Sequence, residues 1–509
     1  KSGNTMTTTL SQLPPTAVWQ WFDQICAIPH PTFHEHALGD FIVQAVQTRG
    51  QPYGLTVKKD EKGNIFIYKP ASVQLDSNMA NHPAVAIQAH FDMVAQKGET
   101  TNHDFITDPI KPVIKDDWVW ASDTTLGADN GIGLAMALAV AFSDDIVHPP
   151  LELILTCEEE IGMGGVQAIH PEWLTAPAMI NLDSEDEGEL FIGCAGGRDA
   201  TFQLTSSLIT VTEDVTPMVI KVSGLQGGHS GIDIHKGLAN ANLLLARVLA
   251  SLFGSSPFYL QHWTGGVLRN VITREASAAV LGDFERISQL LPTILQTLQA
   301  EYKITEPNLT VTVEKLVATD ALSPASSNLS ALSIADSQRV LNLLRSLPNG
   351  VIRMSDSFAG VVDTSISTGV VKLGQTHDNN HTATLEIRCL MRSLGETPKD
   401  DIAQRLQALA DLAGAALELS DDYPGWQPDP DSKLLAVAKS VMASHFAGEP
   451  KLQVIHAGLE CGIFKGKAPN MDMISFGPNI RAAHSPKERV EIASVAKTWQ
   501  VLLDLLKVL

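Results

Sequence analysis

The sequence predicts an α/β protein of two domains, one inserted into the other. Three observations lead there. First, apolar strand-like runs end in polar clusters: 84–89 (AVAIQA) runs into His90-Phe91-Asp92, 151–157 (LELILTC) into Glu158-Glu159-Glu160, and 178–182 (AMINL) into Asp183-Ser184-Glu185-Asp186. A fourth run, 472–476 (DMISF), leads through Gly477-Pro478 to His484. Second, helical patterns at 131–142 and near 163–170 lie between these runs. Strand alternating with helix reads as α/β, an architecture that binds ligands beyond the carboxyl ends of its strands, so the clusters are expected to converge. Third, the motif strands stop at 183 and resume at 472, and the chain between them has a different character. We therefore read 1–197 and 426–509 as two segments of one domain and 198–425 as an insertion. A chain of 509 residues exceeds one domain of roughly 100–200 residues.

The elements follow in order. Residues 13–50 read as helix broken at Ile28-Pro29-His30-Pro31, where two prolines make a corner. His30, His34 and His36 gather at this corner, and surface positions are the ordinary outcome there, ahead of a metal cluster. Runs 56–59 and 64–68 flank Asp60-Glu61-Lys62-Gly63, a hairpin pattern. Stretch 124–133 (TTLGADNGIG) holds Asp129 in a Gly-flanked turn at the mouth of an apolar helix. Taken alone, an Asp at such a start is ordinarily a cap. The insertion carries strand patterns at 218–222 and 384–391 and helical patterns at 238–253, 284–302 and 400–412. It divides into αβ halves around 198–315 and 330–425, without a firm sequence repeat.

Composition excludes several function classes. A formal charge of −21 repels nucleic acid and anionic membrane, so neither is expected as a partner. The five cysteines, Cys26, Cys157, Cys194, Cys389 and Cys461, are scattered and form no CxxC pair, which suits reduced thiols in a cytoplasm. The longest apolar run, 131–142, falls short of the roughly 20 residues that span a bilayer. No signal peptide opens the chain, and 1–5 ahead of Met6 reads as an added remnant and is left out of the fold argument. A soluble, cytoplasmic protein is expected.

The clusters share one chemistry. His90, Asp129, Glu160, Asp183 and His484 supply two imidazoles and three carboxylates. Shared around Asp129, they offer each of two cations one His and one terminal carboxylate. This nitrogen and oxygen set suits zinc, with manganese or cobalt as substitutes. Adjacent carboxylates such as Glu158-Glu159-Glu160 usually form a solvated face, but at the end of an apolar strand they are unfavourable without a cation. Asp92, two residues beyond His90, is placed to hold the imidazole's other nitrogen. Glu159, next to a ligand and not needed as one, is the natural general base.

The segments HFDMV, TLGADNGIG, EEEIGMGG, NLDSEDEGELFIGCAGG, GGHSGIDIHKGLANAN, GGVLRNVITREA, HAGLECGIF and FGPNIRAAHS resemble the aminoacyl-histidine (Xaa-His) dipeptidases of the M20 metallopeptidase family, in order and spacing over nearly the whole chain. The resemblance implies a catalytic α/β domain with a mixed sheet and an inserted α+β lid. It also implies one zinc on His90 and Asp183, another on Glu160 and His484, Asp129 bridging, and a cis peptide at Asp129-Asn130. Glu159 would be the base and Asp92 would orient His90. In the lid, His229 would stabilise the oxyanion and Asn270 and Arg392 would contact substrate; Gly458 matches a close approach of backbone to substrate. The implied reaction is hydrolysis of Xaa-His dipeptides, including carnosine (β-alanyl-histidine), by a metal-bound hydroxide. A homodimer is compatible with this reading. The alternatives are a tripeptide aminopeptidase or N-acyl amino acid deacylase of the same fold, and a non-catalytic metal- or peptide-binding protein.

Overall fold

The computed structural model describes residues 9–72, 82–316, 329–376 and 379–509; the stretch 1–5 set apart in the sequence lies outside them. They cluster into two compact units. One holds the chain up to Gly193 with Trp426–Val454 and Leu459–Leu509, the other Cys194–Gly425 and Ile455–Gly458. The first crossing therefore falls before the 197/198 boundary read from sequence. Gly458, read as part of the terminal segment, groups with the inserted unit instead. Hydrogen bonds explain this: Ala195 N–H donates to Ile455 O at 3.0 Å, and His456 Nε2 lies 2.7 Å from Ser365 Oγ.

The first unit is built on an eight-stranded mixed sheet. Its order is Thr56–Lys59, Ile65–Lys69, Leu151–Thr156, Val85–His90, Ala178–Asn181, Asp472–Ser475, Glu189–Cys194 and Lys451–Ile455. Leu151–Thr156, Val85–His90, Ala178–Asn181 and Asp472–Ser475 run parallel, so their carboxyl ends share one edge. Every residue of Val85–His90 and Leu151–Thr156 is buried. Strands covered on both faces read as continuous apolar runs rather than alternating ones, as these do. The 56–59/64–68 hairpin is present as an antiparallel pair.

Helix Ala128–Ala141 is apolar all round and buried at every position except Asp129. It begins earlier than the pattern at 131 indicates. Gly127, at φ 72°, precedes it, Asp129 and Asn130 are non-helical, and the peptide between them is cis. Gly127 and not Asp129 holds the N-cap position, and the Asp129 carboxylate faces His90 and His484 instead, so the ordinary reading of that residue fails. The far end of the helix is closed by Lys69, whose Nζ donates to Val140 O at 2.8 Å and Ser143 O at 2.5 Å. Helices Thr16–Cys26 and His36–Arg49 flank the proline corner. His34 and His36 are exposed there. His30, expected at the surface, is buried, with Nδ1 2.6 Å from Ile28 O. A small sheet ordered Ile480–Arg481, Arg489–Glu491, Trp118–Ala121, Pro112–Lys115 pins both ends of the 482–488 loop.

The second unit has a ten-stranded sheet, antiparallel in all its pairings. Helices Ala241–Ser255, Phe284–Glu301, Ile334–Ser346 and Glu396–Ala413 contribute to its core with Trp263, Phe202 and Phe258. The two αβ halves read from sequence share this one sheet, because Tyr259–Gly265 of the first pairs with Val362–Thr376 of the second. All five cysteines are described and buried, and none forms a disulfide. Among the described residues no helix is long and apolar enough to cross a membrane.

One buried histidine makes stability depend on pH. Burial first, and then Lys69, lowers the pKa of His148 to about 4, and its Nδ1 lies 2.7 Å from Pro149 O. The unfolded chain, with an ordinary histidine pKa near about 6.5, binds a proton that the folded chain refuses. This contribution is therefore complete above the unfolded value and is lost as pH falls toward the folded one. We expect the difference in urea midpoint between the parent and His148→Gln to shrink on going from pH 7 to about pH 4; a constant difference would contradict it.

Candidate metal centre

The carboxyl edge of the parallel strands gathers the five residues singled out in the sequence. His90 ends its strand, Asp183 follows Asn181 by two residues, and Glu159 and Glu160 follow Thr156 across a turn. Asp129 comes from the distorted helix start and His484 from the 482–488 loop. Asp129 divides its carboxylate between the histidines: Oδ1 lies 3.3 Å from His90 Nε2 and Oδ2 3.1 Å from His484 Nε2. His90 Nε2 is also 3.5 Å from Asp183 Oδ1, and His484 Nε2 is 3.0 Å from Glu160 Oε2. Among the described residues, three groups have ligand atoms close enough to share an ion: His90-Asp129-Asp183, Asp129-Glu160-His484 and His90-Glu159-Glu160. None includes His30, His34 or His36.

The electrostatics are those of an over-filled anionic site. Burial raises Asp183 and Glu159 well above ordinary carboxylates, and the neighbouring charges Asp129 and Asp183, respectively, push the same way. Hydrogen bonds donated to Asp129 and Glu160 raise His484 to about 11. The cluster is thus borrowing protons, on imidazoles and carboxyls, to do what a cation would do. Glu160 Oε1 is buried without a hydrogen-bond partner. Such an orphan among the described residues, next to two neighbouring donor sets, fits a carboxylate oxygen available to a cation.

Asp92 does more than face His90. Its Oδ1 is 3.3 Å from His90 Nδ1 and accepts from Glu159 N at 2.9 Å. Its Oδ2 accepts from Glu160 N at 3.2 Å and Thr32 Oγ1 at 2.9 Å. One buried carboxylate thus fixes an imidazole and the backbone of two acidic residues. Asn130 Nδ2 donates to Leu182 O at 2.6 Å, tying the Asp129 turn to the residue before Asp183.

The second unit assembles its own cluster. Gly228–His229 pairs with Val271–Ile272, and Ser230 N donates to Asn270 O at 2.9 Å, so His229 and Asn270 are neighbours. His229 Nδ1 accepts from Gly231 N at 3.1 Å and Ile232 N at 3.0 Å. An Nδ1 that accepts carries no proton, so the neutral ring has its hydrogen on Nε2. Burial, then Arg392, lowers the pKa of this ring. Arg392 is buried in strand Asn379–Ser393 with Nη1 3.3 Å from Tyr423 Oη, while its Nε has no partner. Gly231 packs so close that an added Cβ would lie 2.9 Å from that Nε and 2.0 Å from His456 O.

The sequence profile of peptidase family M20/M25/M40 matches residues 86–508. The chain belongs to this family. It is 44% identical over 501 residues to the cytosol non-specific dipeptidase of Escherichia coli (strain K12), covering 98% of both chains. The crystal structure of aminoacylhistidine dipeptidase from Vibrio alginolyticus superimposes with a TM-score of 0.89 at 41% identity, over 99% of this chain and 98% of that one. Aminopeptidase PepT from Bacillus cereus shares the fold, with a TM-score of 0.58 at 16% identity over 97% of this chain and 98% of that one. This M20 protein is therefore a hydrolytic enzyme of dipeptidase kind.

Sequence reasoning missed the groups that hold this M20 site from behind. Glu460, in the HAGLECGIF segment, is buried and accepts from Gln88 Nε2 at 2.8 Å and Thr156 Oγ1 at 3.0 Å. Glu488, in the charged run Lys487-Glu488-Arg489, reads as solvated yet is 2% exposed. Its acidic type inside a strand-loop-strand segment was the one available signal, and it is weak. For Asp92 the geometry makes a firm prediction. Asp92→Asn must turn an amide N–H toward a backbone N–H, so divalent-cation affinity by calorimetric titration should fall about 10–100-fold with the circular dichroism spectrum retained.

Proposed function

We propose that this M20 peptidase hydrolyses Xaa-His dipeptides, β-alanyl-histidine among them, at a pair of divalent cations, with zinc the first choice. The observation that carries the reading is the Asp129 carboxylate, one oxygen toward His90 and the other toward His484. His90 and Asp183 would hold one cation, Glu160 and His484 the other, with Asp129 shared. The donor set and the orphaned Glu160 Oε1 fit such ions. Bound cations would acidify a water and polarise the scissile carbonyl.

The chain's own groups do the rest. Glu159, with Oε2 3.9 Å from His90 Nε2, is assigned to take the proton of the attacking water and pass it to the leaving amine. Asp92 orients His90. His229, hydrogen on Nε2, is assigned as donor to the developing oxyanion. Arg392 has an unused buried Nε and is assigned to the substrate's carboxylate. Asn270 and Gly458 are assigned to substrate contact by resemblance. A cytoplasmic location is supported by the unbridged cysteines and by the name of the Escherichia coli relative. A homodimer is proposed with it.

That relative is named non-specific, which favours a second reading: the same chemistry on dipeptides of many C-terminal residues. Rates on carnosine, other Xaa-His dipeptides, dipeptides lacking histidine, a tripeptide and an N-acetyl amino acid separate the possibilities. We expect dipeptides to turn over and the last two compounds to stay intact; turnover confined to the acetylated compound would overturn the proposal. Glu159→Gln should keep two zinc ions per chain by elemental analysis and lose about 100–10,000-fold in kcat. Survival of kcat would remove Glu159 from its role.

A further inference from the structure

Asp129 has to present two oxygens in two directions from a helix start that lacks an ordinary cap. Gly127, at the N-cap position, has no side chain to accept the free N–H groups. Glu488 supplies the missing acceptor from more than 350 positions away in sequence: its Oε2 accepts from Leu126 N at 2.7 Å and Gly127 N at 3.1 Å, and its Oε1 from Asp129 N at 3.2 Å. These bonds span |i−j| of 359 to 362. The carboxylate is buried and belongs to none of the ion-sharing groups. Its own turn is closed by Glu488 N donating to Ser485 O at 3.0 Å, and the following strand, Arg489–Glu491, is paired to Trp118–Ala121. The short segment 484–488 therefore meets Asp129 twice. His484 faces its carboxylate and Glu488 grips its backbone.

We propose that Glu488 is the positioning residue of the shared carboxylate: it sets the backbone of Asp129 so that the carboxylate faces His90 and His484 together. The proposal rests on the dinuclear reading above for its effect on catalysis, though not for the grip itself. Neutralising Glu488 is discriminating because a carboxylate offers acceptors at both ends and an amide at only one. In Glu488→Gln, either rotamer of the amide points N–H groups at the Asp129 N–H or at the Leu126 and Gly127 N–H groups.

The test compares full-length parent, Glu488→Gln and Arg489→Ala. Arg489 stacks on Trp118 and Trp120, 5.2 and 4.7 Å from the ring centres, so its loss loosens the same strand without touching Asp129. Three measurements are made: zinc affinity and stoichiometry, kcat and KM on a turned-over dipeptide, and amide exchange of residues 126–130 in zinc-free protein. Glu488→Gln should weaken zinc binding about 10–100-fold and lower kcat with little change in KM. Amide exchange at 126–130 should quicken about tenfold, the equivalent of one lost hydrogen bond. Arg489→Ala should lower the unfolding midpoint while leaving affinity within about twofold of the parent. Parent-like exchange in Glu488→Gln, or the same losses in Arg489→Ala, would overturn the assignment. A parent that binds fewer than two zinc ions would instead overturn the dinuclear reading, and the zinc-free exchange would still decide whether Glu488 holds the turn.

Discussion

Like charge in a confined space is the constraint on which the first unit is built. Asp129, Glu159, Glu160 and Asp183 meet within reach of two imidazoles at the carboxyl edge of one sheet. Two carboxylates about 4 Å apart repel by about 4 kcal/mol at an effective dielectric constant near 20. A few such pairs rival the about 5–15 kcal/mol by which folded proteins are stable at all. The cluster can therefore exist only with compensating positive charge, whether protons on His484 and on the buried carboxyls or divalent cations. Burial first, and then this excess of like charge, raises the proton affinities of Asp183 and Glu159, while hydrogen bonds to Asp129 and Glu160 raise that of His484.

Repulsion also explains why several of these acidic residues are held through their backbone as well as by the imidazoles beside them. Carboxylates that push one another apart have no shared minimum, so their positions must be imposed from outside. Asp92 imposes them on Glu159 and Glu160 through two N–H groups. Asn130 links the Asp129 turn to Leu182, beside Asp183. His484 sits at φ 64°, a left-handed conformation uncommon for a non-glycine residue, kept there by a loop anchored in a sheet at both ends. These restraints act on the backbone at or next to the clustered residues, so the side-chain oxygens are left to face the imidazoles.

What could be read from sequence divides along the same line. The clustered residues fall at or beyond strand ends, and a buried parallel strand announces itself as an apolar run, so His90, Glu160, Asp183 and His484 were visible as candidates through the strands that lead to them. Asp129 was legible as the centre of a glycine-flanked turn, although its ordinary reading as a cap was wrong because the helix there is distorted. The restraints were not legible. Glu488 looks like surface charge, Thr32 like part of a proline corner, and His30 like an exposed loop residue, because burial by remote elements leaves no local pattern. The grouping of Gly458 with the inserted unit was not legible for a related reason: a four-residue excursion, Ile455–Gly458, carries no periodicity of its own.

The apolar strands also contain their own exception, and it accounts for the precision of the edge. Two residues before His90 and two before Asp183 lies a polar layer wholly inside the sheet. Asn181 Nδ2 donates to Gln88 Oε1, Ser475 Oγ to Asn181 Oδ1 at 2.6 Å, and Gln88 Nε2 to Thr156 Oγ1 at 3.1 Å. Asn181 Oδ1 also accepts from Asp183 N at 3.1 Å, carrying the layer directly into a ligand's backbone. Burying amides costs free energy unless they are paired, and a paired amide tolerates little slippage because any shift unpairs it. Pairs of purely apolar side chains would have covered these strands equally well, but they are non-directional and would permit sliding between neighbours. The hydrogen-bonded layer converts four strand ends, contributed by segments as distant as Gln88 and Ser475, into a single rigid rim on which opposed charges can be set at fixed separations.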